Sequence, residues 1–583
     1  MRGWRRWVAG FFIFGWTASW AAGAPDRSMQ EILDRLRNSP PALSGLEDRA
    51  SLWRALVGPA PLPVRCGTPV AAALGERRSS LSPALRAGVD RLLQPPPSSR
   101  RLAVAEGYEL RASAPIREDL ADENGNGVAD VFDRAFDEAS RALRLWTENL
   151  GWLPPAGRPS GSAVRIILAD LPPDLDAMAL ADGEPERTFE EDATATVVVS
   201  RTLVDRPDEF ARVLVHQMAH AVLWAYSHRE EPAWQEASAV ALEIEARRDA
   251  HPYLGSFAER LQQRGASLRS DRLGLAQGGG LWALFLDLSH PAHDSALRRL
   301  WEELAAVPGA NLTEAAETVF ARLEGPDAGA EIATYLAWGL FTGERDDGRH
   351  FPFAGALRAV PADAQHAEYP ADGPPPGMSL EPWSGAVVRL ETGRDPGGLR
   401  VEFHGEERGR WSVLALFEGR EAGALRSTLV PVDAEGRASL RFPWRALAAA
   451  TLIIVNAAAP GTGDARFSYS IGHDPSYPYD LAGLEAEPTR DGVALRWTTD
   501  GEQDLAGWNI YRSASALRDF VRVNQLPIPA GGDVRDPLHY LFLDSEAAPG
   551  RKYYYYVEGL TAAGFAERSH SVSARTPAAA RQR

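Results

Sequence analysis

The chain has 583 residues, too many for one hydrophobic core, and this length predicts about three to four domains. Apolar residues make up 45% and charged residues 24% of the composition, which excludes a largely disordered chain. The formal net charge of -17 argues against nucleic acid as a partner, because phosphate binding needs a basic surface.

The first 24 residues have the pattern of an export signal. Three arginines at positions 2, 5 and 6 precede a mostly apolar run from Trp7 to Trp20, and small residues follow at 21–24. An N-terminal membrane anchor is the alternative reading, although the run is short for a span. We therefore expect a secreted, periplasmic or cell-surface protein with no membrane span once the signal is removed.

The predicted elements then change in character along the chain. Residues 25–105 have a helical, propeptide-like pattern that ends at a proline-rich break, and residues 106–358 alternate strands with helices. The Pro/Gly-rich stretch 359–377 is typical of a linker. Short alternating strands separated by turn residues predict two all-β sandwich domains, at 378–475 and 480–577.

The second of these β domains resembles a fibronectin type III domain. The likeness is carried by the strand-like segments Gly492–Thr499, Gly507–Arg512 and Tyr553–Gly559. It implies that Trp497 is the core tryptophan. The four consecutive tyrosines from Tyr553 are explained more simply by alternating burial in a strand than by stacking on a carbohydrate.

Two histidines four residues apart are the strongest chemical signal. His216 and His220 lie on one face of a predicted helix and can reach one metal ion. In the zinc-peptidase motif H-E-x-x-H, the second residue is a glutamate that takes a proton from metal-bound water. Here that position is Gln217, whose amide cannot act as a base near neutral pH. Hydrolysis is therefore expected to be weak or lost, and Gln217→Glu is expected to restore it.

A third metal ligand has to come from a later segment. Glu236, within the run Pro232–Ala239, is the candidate, and a His/His/Glu set leaves one position open for water, as in catalytic zinc sites. Glu243 lies on the same helical face and is expected to support a ligand from behind. The alternative reading is two ordinary helical histidines and a surface carboxylate.

Together these segments resemble a family of secreted bacterial metalloproteases of the gluzincin type, which pair H-E-x-x-H with a W-x-E-A-x-A glutamate. Three further stretches carry the likeness, Arg65–Pro69, Asp122–Asp130 and Ala337–Asp347, so that it covers residues 60 to 355. The resemblance implies an α+β, zincin-like metallopeptidase domain at 106–358 ahead of the two β-sandwich domains. It also implies zinc ligation by His216, His220 and Glu236, with Gln217 at the position of the catalytic glutamate.

A second metal site is predicted in the stretch that begins at Asp122. Its spacing matches the first half of a calcium loop with an aspartate at the twelfth position. The alternative is an Asn/Gly-rich turn that caps the next helix. The candidate calcium ligands are Asp122, Asn124, Asn126, the Val128 carbonyl, Asp130 and Asp133.

Cys66 is the single cysteine, so an intramolecular disulfide is excluded. Its segment, residues 63–69, resembles the propeptide stretch whose cysteine closes the zinc site of matrix metalloproteases, and a thiolate on an open zinc position is chemically reasonable. A small buried cysteine in a turn is the favoured interpretation.

Three functions stay open at this point. The favoured one is an exported metallopeptidase-like protein that binds zinc and an extracellular peptide or protein, the peptide along the strand at Thr196–Val199, with impaired hydrolysis. The first alternative is an active peptidase with an unconventional base such as Glu230, Glu231 or Glu243. The second is an extracellular adhesion or scaffolding protein that binds through its β-sandwich domains.

Overall fold

A computed structural model describes residues 28–578 with short gaps, so the predicted export signal lies outside the described residues. The gaps are 44–45, 47, 58–65, 98–99, 106–107, 114–118, 158–163, 184–188, 190–191, 292–294, 308, 324, 326, 394–396, 421–424, 446, 532–536 and 563. The chain divides into two compact units. Unit 1 is Met1–Pro361 with Ala459–Gly461, and unit 2 is Ala362–Ala458 with Thr462–Arg583.

Unit 1 is built from α-helices around one five-stranded sheet. The described helices are α1 (Met29–Asn38), α2 (Arg49–Leu56), α3 (Thr68–Glu76), α4 (Pro83–Leu93), α5 (Asp130–Arg144), α6 (Pro207–Leu223), α7 (Pro232–Arg247), α8 (Leu254–Gln262), α9 (Leu273–Gly278), α10 (Gly280–Ser289), α11 (Ala296–Ala306), α12 (Leu312–Arg322) and α13 (Ala328–Trp338). Across the part of the chain that the structure describes, no helix is long and apolar enough to cross a membrane.

The sheet of unit 1 places an antiparallel strand at its edge. Its strands are β1 (Arg100–Ala105), β2 (Tyr108–Ala112), β3 (Val164–Ala169), β4 (Ala177–Gly183) and β5 (Thr194–Ser200). Their order is β1-β2-β3-β5-β4; β2, β3 and β5 run parallel, and β4 is antiparallel to β5. The prediction that peptides bind along Thr196–Val199 is wrong, because β5 is buried throughout and paired on both sides. The edge strands are β1 and β4.

Helices α1 to α4 share a hydrophobic core with this sheet. Trp53 and Leu56 of α2 are almost fully buried and belong to one cluster with Met178 of β4 and Val198 of β5. Helix α1 begins with a capping box between Ser28 and Glu31. The helical N-terminal segment is therefore part of the packing of unit 1.

Helices α6 and α7 lie in the middle of unit 1 and are buried on nearly all sides. Each has a proline in its first turn, where no backbone N–H is needed. Helix α6 also carries Asp208 and Glu209 in its first turn, where negative charge interacts favourably with the helix dipole. Because the rest of both helices is mostly apolar, the polar side chains that they do bury require partners.

Unit 2 contains only β-strands among its regular elements in the described residues, so the predicted C-terminal all-β region is confirmed. Its first part has strands β6 (Ala364–His366), β7 (Ala371–Gly373), β8 (Ser384–Glu391), β9 (Gly398–Gly405), β10 (Trp411–Gly419), β11 (Leu425–Val430), β12 (Arg437–Pro443), β13 (Leu447–Asn456) and β14 (Phe467–Asp474). They form two sheets, β11-β10-β13-β8-β6 and β12-β9-β14-β7, which share one core. The segment 359–377 that the composition assigned to a linker thus contributes β6 and β7 to this sandwich.

A second sandwich follows in unit 2. Its strands are β15 (Tyr479–Thr489), β16 (Gly492–Glu502), β17 (Leu505–Ser513), β18 (Val521–Arg522), β19 (Ile528–Pro529), β20 (Leu538–Asp544), β21 (Lys552–Thr561), β22 (Ala566–Arg568) and β23 (Val572–Arg575). One sheet is β15-β16-β20, and the other is built around β17 and β21. Trp497 lies in the core between them, and Tyr553 and Tyr555 point inward while Tyr554 is half-buried. Alternating burial in β21 therefore accounts for Tyr553 and Tyr555, which lie in the core.

Candidate metal centre

Four side chains from three parts of unit 1 converge in its interior. His216 and His220 lie one turn apart on α6, Glu236 lies on α7, and Cys66 lies just before α3. One ligand atom from each lies within 4.8 Å of the others, and all four residues are buried. The structure thus brings together the three predicted zinc ligands and adds the cysteine as a fourth donor.

The separations between these atoms match those around a tetrahedral zinc ion. Glu236 Oε2 lies 3.6 Å from His216 Nε2 and 3.4 Å from His220 Nε2. Cys66 Sγ lies 3.7 Å from His220 Nε2. Bonds of 2.0–2.3 Å in a tetrahedron place neighbouring ligand atoms about 3.3–3.8 Å apart, whereas N–H···O hydrogen bonds are shorter. His216 Nε2 and Glu236 Oε2 are also buried without a hydrogen-bond partner. The cluster fits a metal ion better than it fits a hydrogen-bond network.

Further contacts orient the candidate ligands toward the centre of the cluster. His216 Nδ1 lies 3.1 Å from Glu243 Oε2 and 3.3 Å from the Tyr253 hydroxyl, which also donates to Glu243. Glu236 Oε1 accepts a 3.0 Å hydrogen bond from Gln277 Nε2, which leaves Oε2 directed at the cluster. Such contacts fix the ring orientation and increase ligand basicity. Gln277 and Tyr253 carry no motif in the sequence that could have singled them out.

Gln217, at the position of the general base, contacts the cysteine. Its Nε2 donates to Cys66 Sγ at 3.2 Å, and its Oε1 accepts from the Thr68 hydroxyl at 3.1 Å. The Thr68 oxygen in turn accepts from the backbone N–H of Ala179 at 2.9 Å. Because the hydroxyl oxygen accepts from that N–H and, at 3.4 Å, from the Cys66 thiol, its own proton is directed to Gln217 Oε1, and this orients the amide N–H₂ toward sulfur.

The acidic and basic side chains of the cluster shift one another's pKa values. Burial and the Glu236 carboxylate act to raise the pKa of the Cys66 thiol, but the two histidines outweigh them and lower it to about 7. Burial alone would raise the pKa of Glu236, yet the neighbouring His216 and His220 bring it far below its usual range. Burial would lower the pKa of His216, whereas nearby Tyr253 and Glu236 raise it well above its ordinary value. A metal cation bound here would take the place of the imidazole protons, since ligands bind in their deprotonated forms.

The backbone around Cys66 explains why its sulfur reaches the cluster. Cys66 forms a parallel bridge with Ala177 of the edge strand β4, and Gly67 N–H donates to the Ala177 carbonyl at 2.8 Å. A Cβ on Gly67 would lie 2.9 Å from Leu175 Cδ1 and 3.0 Å from Trp53 Cη2, so a larger residue here would crowd these two side chains. The interpretation of Cys66 as a structural cysteine in a turn therefore misses its main contact. The sequence feature that pointed to this contact was the resemblance of residues 63–69 to the propeptide stretch whose cysteine closes a zinc site.

The candidate alternative bases lie elsewhere. Glu243 contacts Nδ1 of His216, the ring nitrogen opposite the cluster, and Arg212 lies 3.7 Å from its other oxygen. Glu231 forms an ion pair with Arg269. Glu230 lies just ahead of α7, and its backbone carbonyl accepts from Gln235. These contacts favour structural roles for the carboxylates of Glu231 and Glu243.

The candidate calcium residues from Asp122 to Val128 lie in a mostly exposed loop ahead of α5, and Asp130 and Asp133 lie in the first turn of that helix. Asn124 Nδ2 and Asn126 Nδ2 donate to Asp133 Oδ2 at 2.9 and 2.8 Å. Asp122 accepts from the backbone of Asn126 and Gly127, and Asp130 accepts from the Glu123 N–H. The loop is therefore a turn held by hydrogen bonds among its own residues, and several side-chain oxygens lie close together in it.

A cleft lies beside the cluster, between α3 and the edge strand β4. It is lined by Ala71 and Gly75 of α3, Ala179 and Ala181 of β4, and Trp224 and His228 beyond the end of α6. Of the β4 residues that line the cleft, Ala179 is buried and Ala181 is exposed, so the cleft reaches β4 beyond the first part, which pairs with residues 66–68.

Comparisons with known proteins give no family for the chain. No family model matches the sequence, and the curated proteins also yield no match. Among solved structures, an Fn3-like protein from Clostridium thermocellum is 21% identical over 18% of this chain and 96% of its own, with a TM-score of 0.13. The FN1-FN3 domains of chicken CNTN1 are 14% identical, covering 38% of this chain and 70% of that one, with a TM-score of 0.13.

A β-1,2-glucanase from Parabacteroides distasonis is 15% identical over 35% of this chain and 33% of its own, with a TM-score of 0.12. These TM-scores are too low to carry an argument. The sandwich architecture therefore rests on the strand order and shared cores described above, and the chemistry rests on the buried cluster.

Proposed function

We propose that this protein is an exported, zinc-binding protein of the metallopeptidase-like, gluzincin type, in which peptide hydrolysis is weak or lost. The observation that carries the proposal is the convergence of His216, His220 and Glu236 at tetrahedral spacing, with two buried polar atoms left without partners. Export rests on the signal pattern at residues 1–24.

The donor set supports zinc over other common ions. Imidazole nitrogen, thiolate sulfur and one carboxylate oxygen in a tetrahedral arrangement are typical of zinc, whereas calcium and magnesium prefer six or more oxygen ligands. A zinc ion bound here would polarise a carbonyl and acidify water if a coordination position were available to either.

Weak hydrolysis follows from the residue at the base position. Gln217 is an amide that is hydrogen-bonded to both Cys66 and Thr68. Loss of a general base typically reduces the rate by about 10²- to 10⁴-fold. Since Glu243 supports His216 from the far side of the ring, it is poorly placed to replace the missing carboxylate.

The partner class that fits the surroundings is an extracellular peptide or protein segment. The cleft between α3 and β4 exposes part of an edge strand, and extended peptides bind such edges through backbone hydrogen bonds. Binding of a peptide would survive the loss of hydrolysis, because it does not require the base.

Metal analysis of the full chain tests the proposal. The purified protein is expected to hold about one zinc ion per chain. The His216→Ala, His220→Ala double variant should hold none and melt at a lower temperature, because an ion bound only by the folded state stabilises it. His251→Ala, which replaces an exposed histidine, is the matched control and should retain the metal. Full zinc occupancy in the double variant would overturn the proposal.

Adhesion or scaffolding through unit 2 is the second candidate. Leu541 and Leu543 on strand β20 are 60% and 46% exposed, which is high for leucines on a sheet. If this is the main function, capture of the physiological partner will be unaffected by removal of the metal or by the double histidine variant.

A further inference from the structure

We infer that the Cys66 thiolate is the fourth ligand of the metal, held in place by Gln217 and Thr68, so that the centre is a closed Cys/His/His/Glu site. This inference rests on the proposed zinc binding and deepens it. The sequence predicted an open His/His/Glu site with one position for water, which is a different arrangement with different chemistry.

The position of the sulfur is the first argument. Cys66 Sγ lies 3.7 Å from His220 Nε2 and belongs to the cluster in which all ligand atoms lie within 4.8 Å. A zinc–sulfur bond of about 2.3 Å beside a zinc–nitrogen bond of about 2.0 Å gives such a separation at a tetrahedral angle. Because Cys66 is 4% exposed, water has little access to the position that the sulfur fills.

The second argument is the contact between Gln217 and the sulfur, which explains why position 217 carries a glutamine and not a glutamate. Its amide N–H₂ donates to the sulfur at 3.2 Å, and a thiolate accepts such a hydrogen bond well. A glutamate at 217 would place a carboxylate against the thiolate, and two buried like charges at that distance repel strongly. A glutamine therefore suits a site that keeps its cysteine. We assign Gln217 as a positioning residue for Cys66.

The backbone is the third argument. Residues 66–68 are tied to edge strand β4 by the Cys66–Ala177 bridge, the Gly67 N–H bond to Ala177 and the Thr68 bond to Ala179. They occupy the start of the edge that a bound peptide would otherwise use. Helix α3 follows at once and belongs to the hydrophobic core that α1 to α4 share with the sheet. Displacing the thiolate therefore requires disruption of packed structure, so the ligand is retained.

Cobalt substitution of the full chain tests this arrangement. Cobalt(II) bound to a thiolate gives an intense near-ultraviolet charge-transfer band that nitrogen and oxygen ligands do not give. Because Cys66 is the only cysteine, any such band reports on it alone. The metal-stripped wild type loaded with cobalt should show the band, and Cys66→Ala should lose it. Gln217→Glu should reduce the band at least about twofold, whereas His251→Ala should leave it unchanged.

Thiol reactivity provides a second measurement that needs no variant. With zinc bound, Cys66 should react with an aromatic disulfide reagent at least about tenfold more slowly than after chelation, because the metal holds the thiolate. Cobalt binding that depends on both histidines but gives no thiolate band would overturn the closed site while leaving the zinc proposal intact. An absence of metal binding would instead overturn the proposed function. Equal thiol reactivity with and without zinc would also overturn the closed site.

Discussion

Position 217 carries an amide where a metallopeptidase needs a carboxylate, and the neighbouring side chains explain why an amide suits this position. The side chain links the Thr68 hydroxyl to the Cys66 sulfur inside the protein, at 3.1 and 3.2 Å. A carboxylate oxygen in place of the amide N–H₂ could not donate to sulfur. In the proposed closed site, two obstacles to hydrolysis thus coincide, a missing base and an occupied coordination position.

This coincidence gives a prediction for peptide cleavage. The motif alone predicts that Gln217→Glu restores cleavage. With Cys66 as the fourth ligand, however, Gln217→Glu alone and Cys66→Ala alone should each remain nearly inactive, since each removes one obstacle. The Cys66→Ala, Gln217→Glu double variant should cleave an unstructured peptide mixture at least about 10²-fold faster than wild type, in a chelator-sensitive manner. Cleavage is measured as the appearance of new amino termini.

Cys66→Ala, Gln217→Ala is the matched control, because it opens the position without supplying a base. Chelator-sensitive cleavage by the wild type at the level of the double variant would show that another residue serves as the base. A fully inactive double variant that still holds zinc would show that substrate access is lost, which favours the scaffolding function.

At the scale of single elements, the loop before α5 decides how that helix begins. Its residues satisfy one another with hydrogen bonds, and Gly125 and Gly127 adopt positive φ angles of 68° and 82°. Asp130 and Asp133 lie in the first turn of α5, where negative charge is favourable. Helix α5 packs on α6 through Phe132 and Phe210, so an ordered loop supports the helix that carries both histidines.

Calcium is expected to stabilise this loop. Titration with calcium should raise the melting temperature of the wild type, since the ion would bring Asp122, Asn124, Asn126 and Asp130 together in place of their internal hydrogen bonds. Asp122→Ala should abolish that response. Asp137→Ala, an exposed acidic residue on α5 outside the loop, should respond like the wild type. Equal responses in all three proteins would identify the segment as a turn alone.

At the scale of the whole molecule, the helical N-terminal segment belongs to the core of unit 1. Trp53 is 1% exposed and Leu56 is fully buried, within the cluster that also contains Met178 of the edge strand. A propeptide that is released intact would leave much of this apolar surface in water, which is unfavourable at about 25 cal/mol per Å². This arrangement favours retention of the segment.

Trp53→Ala should therefore destabilise unit 1 by about 3–5 kcal/mol, the range for truncation of a large buried aromatic residue. The measurement is chemical denaturation of the full chain, with zinc retention at intermediate denaturant as the specific readout for unit 1. Arg54→Ala, at the neighbouring exposed position, should change the free energy of unfolding by less than about 0.5 kcal/mol. An unfolding curve unchanged by Trp53→Ala would mean that the segment is dispensable.

Local patterns in the sequence were enough to predict part of this protein. The spacing of His216 and His220 implies one helical face, and the W-x-E-A-x-A segment pointed to Glu236, which lies with both histidines in the structure. Strand periodicity likewise predicted the all-β C-terminal region. These features depend on neighbours a few residues apart, so the sequence carries them directly.

Tertiary structure decided the rest, because the deciding contacts join distant parts of the chain. Cys66 and Gln217 are 151 residues apart, and no local pattern pairs them. The order of the sheet placed β4 at the edge and enclosed β5, which composition could not distinguish since both are apolar. Strands β6 and β7 formed in a Pro/Gly-rich stretch because two sandwich sheets offered them partners. The long-range contact between Cys66 and the histidine-bearing helix likewise decides whether the candidate metal centre has three ligands and an open position or four ligands.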